Sequence, residues 1–139
     1  MTEPVFVDTS ALYAALDAND RQHTDAARRW NRLLDGVAAG SAEVLTHSAV
    51  VVETSALVQR RLGMPALRVL HDGLLGALTI HWVDAGLHGR AVSALLAADR
   101  RDVSLVDWTS FELMRALGVE ACFAYDDDFE RQGFTAEYG

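Results

Sequence analysis

The fold is decided by the stretch Pro4-Val5-Phe6-Val7-Asp8-Thr9-Ser10-Ala11-Leu12. Its apolar, β-branched first half predicts a short strand, and apolar residues at helical spacing follow Asp8. We therefore expect Asp8 at the C-terminal end of a strand, directly before a helix over residues 11–16. In open α/β sheets, ligands bind at this edge of the sheet. Asp8 is accordingly the first candidate site residue.

Glu53 is the second candidate, because it lies inside a predicted helix over residues 49–62. Leu57 lies four residues further on, so we expect Glu53 to point with the apolar face of this helix. A carboxylate buried alone is costly unless it is paired or bound to a metal. The alternative is a boundary glutamate that forms a salt bridge with Arg60 or Arg61.

Two further acidic positions follow apolar segments near the end of the chain. Asp107 comes directly after the run Val103–Val106, and Asp126-Asp127-Asp128 follows a β-type run over residues 120–125. Each has a structural alternative, since an aspartate before a helix is a favoured N-cap and an acidic run often forms a solvated turn. Only the recurrence of acids at such positions raises them to candidate site residues.

Alternating strand and helix patterns predict an α/β fold with helices on both faces of a mostly parallel sheet of four or five strands. We expect one domain spanning residues 1–139, with strands over residues 4–7, 43–46, 78–83 and 120–125. Further helices are expected over residues 21–34, 49–62, 64–75 and 87–98, and a last long one ends at residue 117. We also expect a turn over residues 36–40, Ser48 as a helix cap, and little order beyond Phe134.

Composition narrows the class of protein. The chain has 139 residues, of which 50% are hydrophobic, and this length suits one domain with one core. No apolar stretch reaches the roughly 20 residues of a membrane span, so we expect a cytoplasmic protein. The single cysteine, Cys122, excludes an internal disulfide, and five scattered histidines do not form a zinc motif. All basic residues are arginine, which excludes lysine-dependent phosphate loops and Schiff-base chemistry.

A metal site reconciles the net charge of −8 with a phosphate-containing substrate. Nucleic-acid binding normally requires cations on the protein, but bound divalent ions invert the local charge of an acidic pocket. Oxygen-only ligands favour Mg²⁺ or Mn²⁺ over zinc or copper. Two such ions activate an attacking water and stabilise the leaving oxygen in phosphodiester cleavage. The acids therefore predict metal-dependent hydrolysis of a phosphate ester.

Four motifs in this order resemble the PIN-domain ribonucleases, and among them the VapC-type toxins of bacterial toxin–antitoxin systems. They are Val7-Asp8-Thr9-Ser10-Ala11-Leu12, Glu53 in mid-helix after Thr46-x-Ser48, Ser104-Leu105-Val106-Asp107-x-x-Ser110-Phe111, and Ala124-Tyr125-Asp126-Asp127-Asp128-Phe129. The resemblance covers essentially the whole chain. It implies a PIN-like three-layer α/β/α fold.

The resemblance also implies roles for individual residues. Asp8, Glu53, Asp107 and Asp126 match the four acids of the family, with Asp8 and Asp107 as direct Mg²⁺ ligands. Asp128 supports or replaces Asp126 as the fourth acid. Thr9 and Ser10 are expected to cap the helix and position water. Ser110 is expected to support the acids without binding the metal itself. Trp108 departs from the small residue expected there and is predicted to alter a wall of the substrate groove without touching the metals.

By the same resemblance, the protein is an endoribonuclease acting on structured RNA such as tRNA or rRNA. It is expected to be a homodimer that a small VapB-like antitoxin neutralises. Several arginines are candidates for contacts with RNA, antitoxin or a second copy, and they are Arg28, Arg29, Arg32, Arg60, Arg61 and Arg68. An exposed, solvated helix face is the alternative for the first three.

Rival hypotheses remain at this stage. A phosphoacceptor receiver domain has similar size and acids, but it needs a lysine that this chain lacks. A catalytically silent PIN-like module that binds RNA or a protein retains the fold without the activity. A DNA-directed nuclease of related fold is a third alternative, although the chain lacks extra helical insertions.

Overall fold

Five parallel strands form the centre of the computed structural model, which describes residues 3–136. The strand order is β3-β2-β1-β4-β5, and every neighbouring pair is parallel. The strands are β1 Pro4–Val7, β2 Glu43–His47, β3 Thr79–His81, β4 Ala121–Phe123 and β5 Thr135–Ala136. The predicted fold class, an α/β fold with a parallel sheet, is confirmed.

Helices make every connection between successive strands. They are α1 Thr9–Leu16, α2 His23–Ala38, α3 Ser48–Leu62, α4 Met64–Asp72, α5 Ala85–Ala98, α6 Leu105–Leu117 and α7 Asp128–Arg131. The chain runs from β1 outward to β3 and then returns past β1 to β4. Right-handed crossovers in opposite directions place helices on opposite faces of the sheet, which gives three layers.

Aromatic side chains fill the core beneath β1 and β4. Phe6, Phe111, Phe123 and Phe129 are fully buried, and the rings of Phe111 and Phe129 meet edge to face at 5.0 Å. Burying a phenylalanine stabilises the fold by about 1.5–3 kcal/mol. Phe129 therefore anchors the short helix α7 against the sheet. Cys122 lies in β4 and is buried, and this burial raises the pKa of its thiol to about 12.

Several predicted boundaries are wrong. The turn expected over residues 36–40 begins only after Ala38, because α2 continues through Gly36. The amides of Ser41 and Ala42 then both donate to the carbonyl of Gly36, which ends the helix. Strands β3 and β4 have three residues each, since the flanking residues lie outside the hydrogen-bonded ladder.

The chain also remains ordered beyond Phe134, contrary to expectation. Thr135–Ala136 forms β5, which pairs in parallel with β4, and the amide of Thr135 donates to Glu120 O at 2.8 Å. The rest of the predicted tail, residues 137–139, lies outside the described residues.

Within residues 3–136, the helices are all too short or too polar to cross a lipid bilayer.

Candidate metal centre and active site

The candidate site lies between the C-terminal ends of β1 and β4, at the point where the strand order of the sheet reverses. Strands β2 and β3 lie on one side of β1, and β4 and β5 on the other. Open α/β sheets bind ligands in the crevice at this switch point. The amide of Asp8 donates to Phe123 O at 3.1 Å and so extends the ladder by one residue. This bond places Asp8 beside the segment that carries Asp126.

Asp8 occupies the predicted position, at the end of β1 and directly before α1. It is the N-cap of α1, and its carboxylate accepts from the amide of Ser10 at 3.2 Å. The side chain is buried, with 4% of its surface exposed. Burial, together with the charges of Asp107 and Asp126, raises the pKa of Asp8 to about 7.

Ser10 links Asp8 to the segment after β4. Its hydroxyl donates to Asp8 Oδ2 at 2.8 Å and accepts from the amide of Tyr125 at 3.0 Å. Thr9 and Ser10 were expected to cap α1, but this is wrong because Asp8 is the cap. Thr9 instead accepts from the hydroxyl of Thr54 at 3.0 Å, which ties α1 to α3.

Asp107 lies in the first turn of α6 rather than before it. Ser104 is the N-cap, and its hydroxyl accepts from the amide of Asp107 at 3.1 Å. Asp107 Oδ2 accepts in turn from the amide of Ser104 at 3.1 Å, which completes a capping box. The N-cap alternative for Asp107 is thus wrong in detail, because the cap falls three residues earlier. Burial raises the pKa of Asp107, and so do the charges of Glu53 and Asp128.

Asp126 and Asp128 both face Asp107. One carboxylate oxygen from each of the three residues lies within 4.8 Å of the other two. Asp107, Asp126 and Asp128 therefore form an acid cluster. Asp126 Oδ1 accepts from the amide of Asp128 at 2.9 Å, and Arg131 Nη1 lies 3.2 Å from Asp128 Oδ1. Burial and the charges of Asp107 and Asp128 raise the pKa of Asp126. The prediction that either residue serves as the fourth acid remains open, since the fold brings both to the cluster.

Glu53 is exposed, so the prediction that it points with the apolar face of α3 is wrong. Helix α3 buries Val50, Thr54 and Val58 at a spacing of four residues, and Glu53 lies at the border of that stripe. Its charge nevertheless contributes to the raised pKa of Asp107. Glu53 therefore approaches the acid cluster from the solvent side. It forms no salt bridge with Arg60 or Arg61, so the alternative is also wrong.

Ser110, a predicted supporting residue, forms hydrogen bonds with Val106 and His47. It is fully buried, and its hydroxyl donates to Val106 O at 3.0 Å while lying 2.8 Å from His47 Nε2. His47 caps α3, with Nδ1 accepting from the amide of Val50 at 3.3 Å. This network assigns the proton to Nε2, which donates to Ser110. Burial lowers the pKa of His47 to about 4, and the ring is neutral.

His47 was not predicted as a helix cap, because Ser48 was expected there. Ser48 is the first residue of α3, and its hydroxyl accepts from the amide of Val83 at 2.9 Å. A histidine directly before a serine at the end of a strand gives no sequence signal for this role. Trp108 is buried against Phe111, with ring centroids 5.4 Å apart, and its effect on a wall of the substrate groove stays a prediction.

Part of the arginine cluster on α2 stabilises the fold. Arg28 and Arg29 both form ion pairs with Asp25, at 2.6 and 2.7 Å. The hydroxyl of Tyr125 donates to the same carboxylate at 2.6 Å. These bonds lower the pKa of Asp25 and tie α2 to the segment before Asp126. Arg61 lies over the ring of Tyr13, 5.6 Å from its centre.

The acid cluster has the chemistry of a divalent-cation site. Its donors are all carboxylate oxygens, and oxygen ligands select hard ions such as Mg²⁺ and Mn²⁺. The pKa values of Asp8, Asp107 and Asp126 are all raised, as is expected of neighbouring carboxylates that are buried or half-buried without a neutralising charge. The residues present therefore fit a divalent metal ion.

An open parallel α/β sheet with carboxylates gathered at its switch point is the arrangement expected of a PIN domain, and the chain belongs to the PIN domain family, which matches residues 5–135. The predicted family is thereby confirmed. Among curated relatives, the 23S rRNA-specific endonuclease VapC20 of Mycobacterium tuberculosis is 35% identical over 132 residues, which cover 94% of this chain and 95% of VapC20.

Solved structures agree with this assignment. The crystal structure of Mycobacterium tuberculosis VapC20, described as a Sarcin-Ricin loop cleaving toxin, superposes with a TM-score of 0.80 at 34% identity. The match covers 94% of this chain and 96% of that one. VapBC2 of Rickettsia felis, solved with a DNA fragment from its promoter, superposes with a TM-score of 0.69 at 14% identity, covering 96% and 97%. The second likeness concerns the fold alone.

Proposed function

We propose that this chain is a VapC-type toxin, a metal-dependent endoribonuclease that cleaves structured RNA and is neutralised by a VapB-like antitoxin. The observation that carries the proposal is the carboxylate cluster of Asp107, Asp126 and Asp128, whose oxygens lie within 4.8 Å of one another beside the buried Asp8. Similarity to VapC20 over nearly the whole chain supports the substrate class, and ribosomal RNA is the first substrate to test.

The acids have distinct roles in this proposal. Asp107 and Asp126 hold the cation together with Asp8, and Asp128, from the same cluster as Asp107 and Asp126, supports them. Glu53, the exposed acid, orients the attacking water from the solvent side. A bound divalent cation lowers the pKa of a coordinated water and stabilises negative charge on the phosphate oxygens. Mg²⁺ is the expected ion, and Mn²⁺ has the same preference for oxygen ligands.

Hydrogen bonds within the chain hold the acids in position for this role. Ser10 fixes one oxygen of Asp8, and the capping box fixes one oxygen of Asp107. The other oxygen of each carboxylate is left for a cation. Such fixed ligands reduce the reorganisation required in the transition state. Packing also contributes, because Phe129 is buried against Phe6 and Phe111 and so fixes the position of the neighbouring Asp128.

The partners follow from the same proposal. A VapB-like antitoxin inhibits the enzyme, and the active form is a homodimer. Residues 5–135 form one PIN domain, and the enzyme acts in the cytoplasm. A catalytically silent PIN-like module that binds RNA or a protein is the competing function, and it differs only in lacking activity.

The test is cleavage of purified ribosomes and of total bacterial RNA by antitoxin-free protein. Reactions contain Mg²⁺, Mn²⁺ or a chelator, and the Asp8→Asn variant is assayed beside them. We expect cleavage at a few sites with either ion and none with the chelator or with the variant. Equal RNA patterns for the wild-type and variant proteins, both shown to be folded by circular dichroism, would reject the enzyme and favour the binding module.

A further inference from the structure

A wide groove adjoins the acid cluster and has no role in the mechanism above. Its volume is about 750 Å³. Its walls include Val52 and Glu53 of α3, Trp82 and Val83 after β3, and Val106 of α6. Most of this surface is apolar, and its polar lining residues include Glu53, Asp84 and His88. Such a concave apolar surface beside a candidate active site is typical of a ligand site.

Trp82 is the most unusual residue of this groove. It is 78% exposed, whereas Trp30 and Trp108 are 5% and 8% exposed. Val52, across the groove on α3, is 68% exposed. Large apolar side chains gathered at the surface mark binding sites rather than solvated surface. The fold therefore presents one indole ring to a molecule that approaches the acids.

The groove lies next to the acid cluster, as two of its lining residues show. Glu53 lines the groove, and its charge also contributes to the raised pKa of Asp107. Val106 lines the groove as well and directly precedes Asp107 in α6. A strand of RNA with its phosphate at the acids consequently has a neighbouring nucleotide beside this groove.

We propose that Trp82 stacks on an unpaired nucleobase next to the scissile phosphate and so holds that nucleotide beside the acids. The inference rests on the proposed function and specifies its substrate contact. Unpaired RNA bases stack on aromatic side chains, and their edges are read by hydrogen bonds. Val52 and Val83 contact the faces and edges of this base, and the exposed His88, which also lines the groove, hydrogen-bonds its polar edge.

The charges in the groove suit a nucleobase, and its size argues against a second copy of the chain. The groove is also lined by Glu53 and Asp84, whose carboxylates repel a phosphate but accept hydrogen bonds from the amino groups of a neutral base. Ten residues line the groove. A stable protein interface involves roughly 20–30 residues on each side, so the groove alone is too small for a second copy of the chain.

Fluorescence provides a test that does not depend on catalysis. An Asp8→Asn protein is titrated in Mg²⁺ with single-stranded oligoadenylate or oligouridylate of about ten nucleotides. We expect the RNA to quench the tryptophan emission, because Trp82 is exposed and the other two indoles are buried. Trp82→Phe abolishes the quenching but changes the Kd, measured by fluorescence anisotropy of labelled RNA, by less than about threefold. Trp82→Ala weakens binding by about 10- to 100-fold, the range found for base stacking.

Leu96→Ala is the matched control, since Leu96 is 71% exposed but lies outside this groove. It leaves quenching and Kd unchanged. With Asp8 intact, Trp82→Ala lowers kcat/KM for the cleaved RNA by a similar factor, and Trp82→Phe restores most of it. A protein that binds RNA through Trp82 but cuts nothing rejects the nuclease function alone.

Two results overturn the inference. One is an unchanged Kd for RNA in the Trp82→Ala protein. The other is a lower molecular mass of that variant by light scattering with unchanged RNA binding, which assigns the groove to a second copy of the chain.

Discussion

Asp8 combines a binding role with a cost to stability. The residue is buried, and the pKa of its carboxyl is about 7, compared with 3.8 in an unstructured chain. A carboxyl whose pKa is raised on folding favours the folded state below pH 3.8, and this advantage is lost as the pH rises through about 7. At neutral pH and above, the metal-free protein therefore holds a charge that destabilises it.

The substitution Asp8→Asn tests this consequence. We expect the metal-free variant to be more stable than the wild type at pH 8, by up to about 4 kcal/mol, although cleavage is abolished. Asparagine still accepts the hydrogen bond from the amide of Ser10. Thermal unfolding in chelator at pH 8 and pH 4 measures the difference, which should shrink at pH 4, where the native carboxyl is protonated. A variant that melts lower at pH 8 would contradict the assignment.

His47 has the opposite dependence on pH. Its pKa falls from 6.5 to about 4 on folding because the ring is buried. A histidine with a lowered pKa leaves stability unaffected above pH 6.5, and stability declines as the pH falls from there toward 4. The loss is on the order of 3 kcal/mol.

We predict that His47→Asn removes most of this decline. Asparagine is a good N-cap and still accepts the hydrogen bond from the amide of Val50. Urea unfolding at pH 7 and pH 4.5 gives the free energy of unfolding for both proteins in chelator. The wild type should lose about 2–3 kcal/mol more than the variant between these pH values. Parallel pH profiles for the two proteins would show that protonation of His47 is unimportant.

At the residue scale, the sequence predicted the acids better than their surroundings. Asp8, Asp107 and Asp126 were identified because each follows an apolar segment, and the sheet brings such positions to one edge. The prediction that Glu53 is buried was wrong, because neighbours three and four residues away in sequence do not distinguish the centre of an apolar stripe from its border. Ser110 and His47 meet across 63 residues of sequence, and no local pattern encodes such a pair.

Helix α6 shows how one element fixes a site residue. Its capping box uses the amide and one carboxylate oxygen of Asp107, both bonded to Ser104. The first turn of α6 is therefore also one wall of the acid cluster. The helix N-terminus, with its partial positive charge, lies next to a group of like negative charges.

Ser104→Ala tests the contribution of the capping box. We expect the free energy of unfolding to fall by about 1 kcal/mol, within the 0.5–2 kcal/mol typical of a lost N-cap. Ser93→Ala is the control, because Ser93 is an exposed residue of α5, and it should change stability by less than about 0.5 kcal/mol. Urea unfolding at pH 7 measures both. Equal effects of the two substitutions would mean that the box adds nothing beyond helix propensity.

At the element scale, the long helices and β1 and β2 were predicted well, whereas short elements were not. Strand β5 has only two residues and follows Gly133, so its sequence carries no period-2 pattern. Its pairing with β4 depends on the anchoring of Phe134 by Phe111, whose ring centroid lies 6.0 Å away. The predicted end of α2 was too early, because Gly36 and Gly40 are typical of a turn. The helix nevertheless continues through Gly36.

At the scale of the whole molecule, the net charge is −8. Part of this negative charge lies in the acid cluster at one edge of the sheet. Such a cluster gains stability from any cation that binds the folded protein alone, by RT ln(1 + [L]/Kd). This coupling gives a measure of metal binding that requires no substrate.

We expect Mg²⁺ to raise the Tm of the wild type, by the equivalent of about 2.7 kcal/mol when its concentration is 100 times Kd. Asp107→Asn should lose most of the shift, because it removes a charge from the cluster. Glu43→Gln, at the exposed start of β2 and away from that edge, should keep it. Scanning fluorimetry with sodium chloride at equal ionic strength is the reference. The same Tm shift with sodium alone would indicate charge screening and no specific site.

The central position of β1 has a consequence for synthesis on the ribosome. The first strand to emerge needs β4 as one of its two neighbours, and more than a hundred residues separate Asp8 from Asp126. Pairing between such distant segments is slow and comes late in folding. A nascent chain therefore exposes Asp8 and Glu53 long before the remaining acids leave the exit tunnel. The ribosome that translates this protein faces an incomplete catalytic centre until Asp128 has emerged.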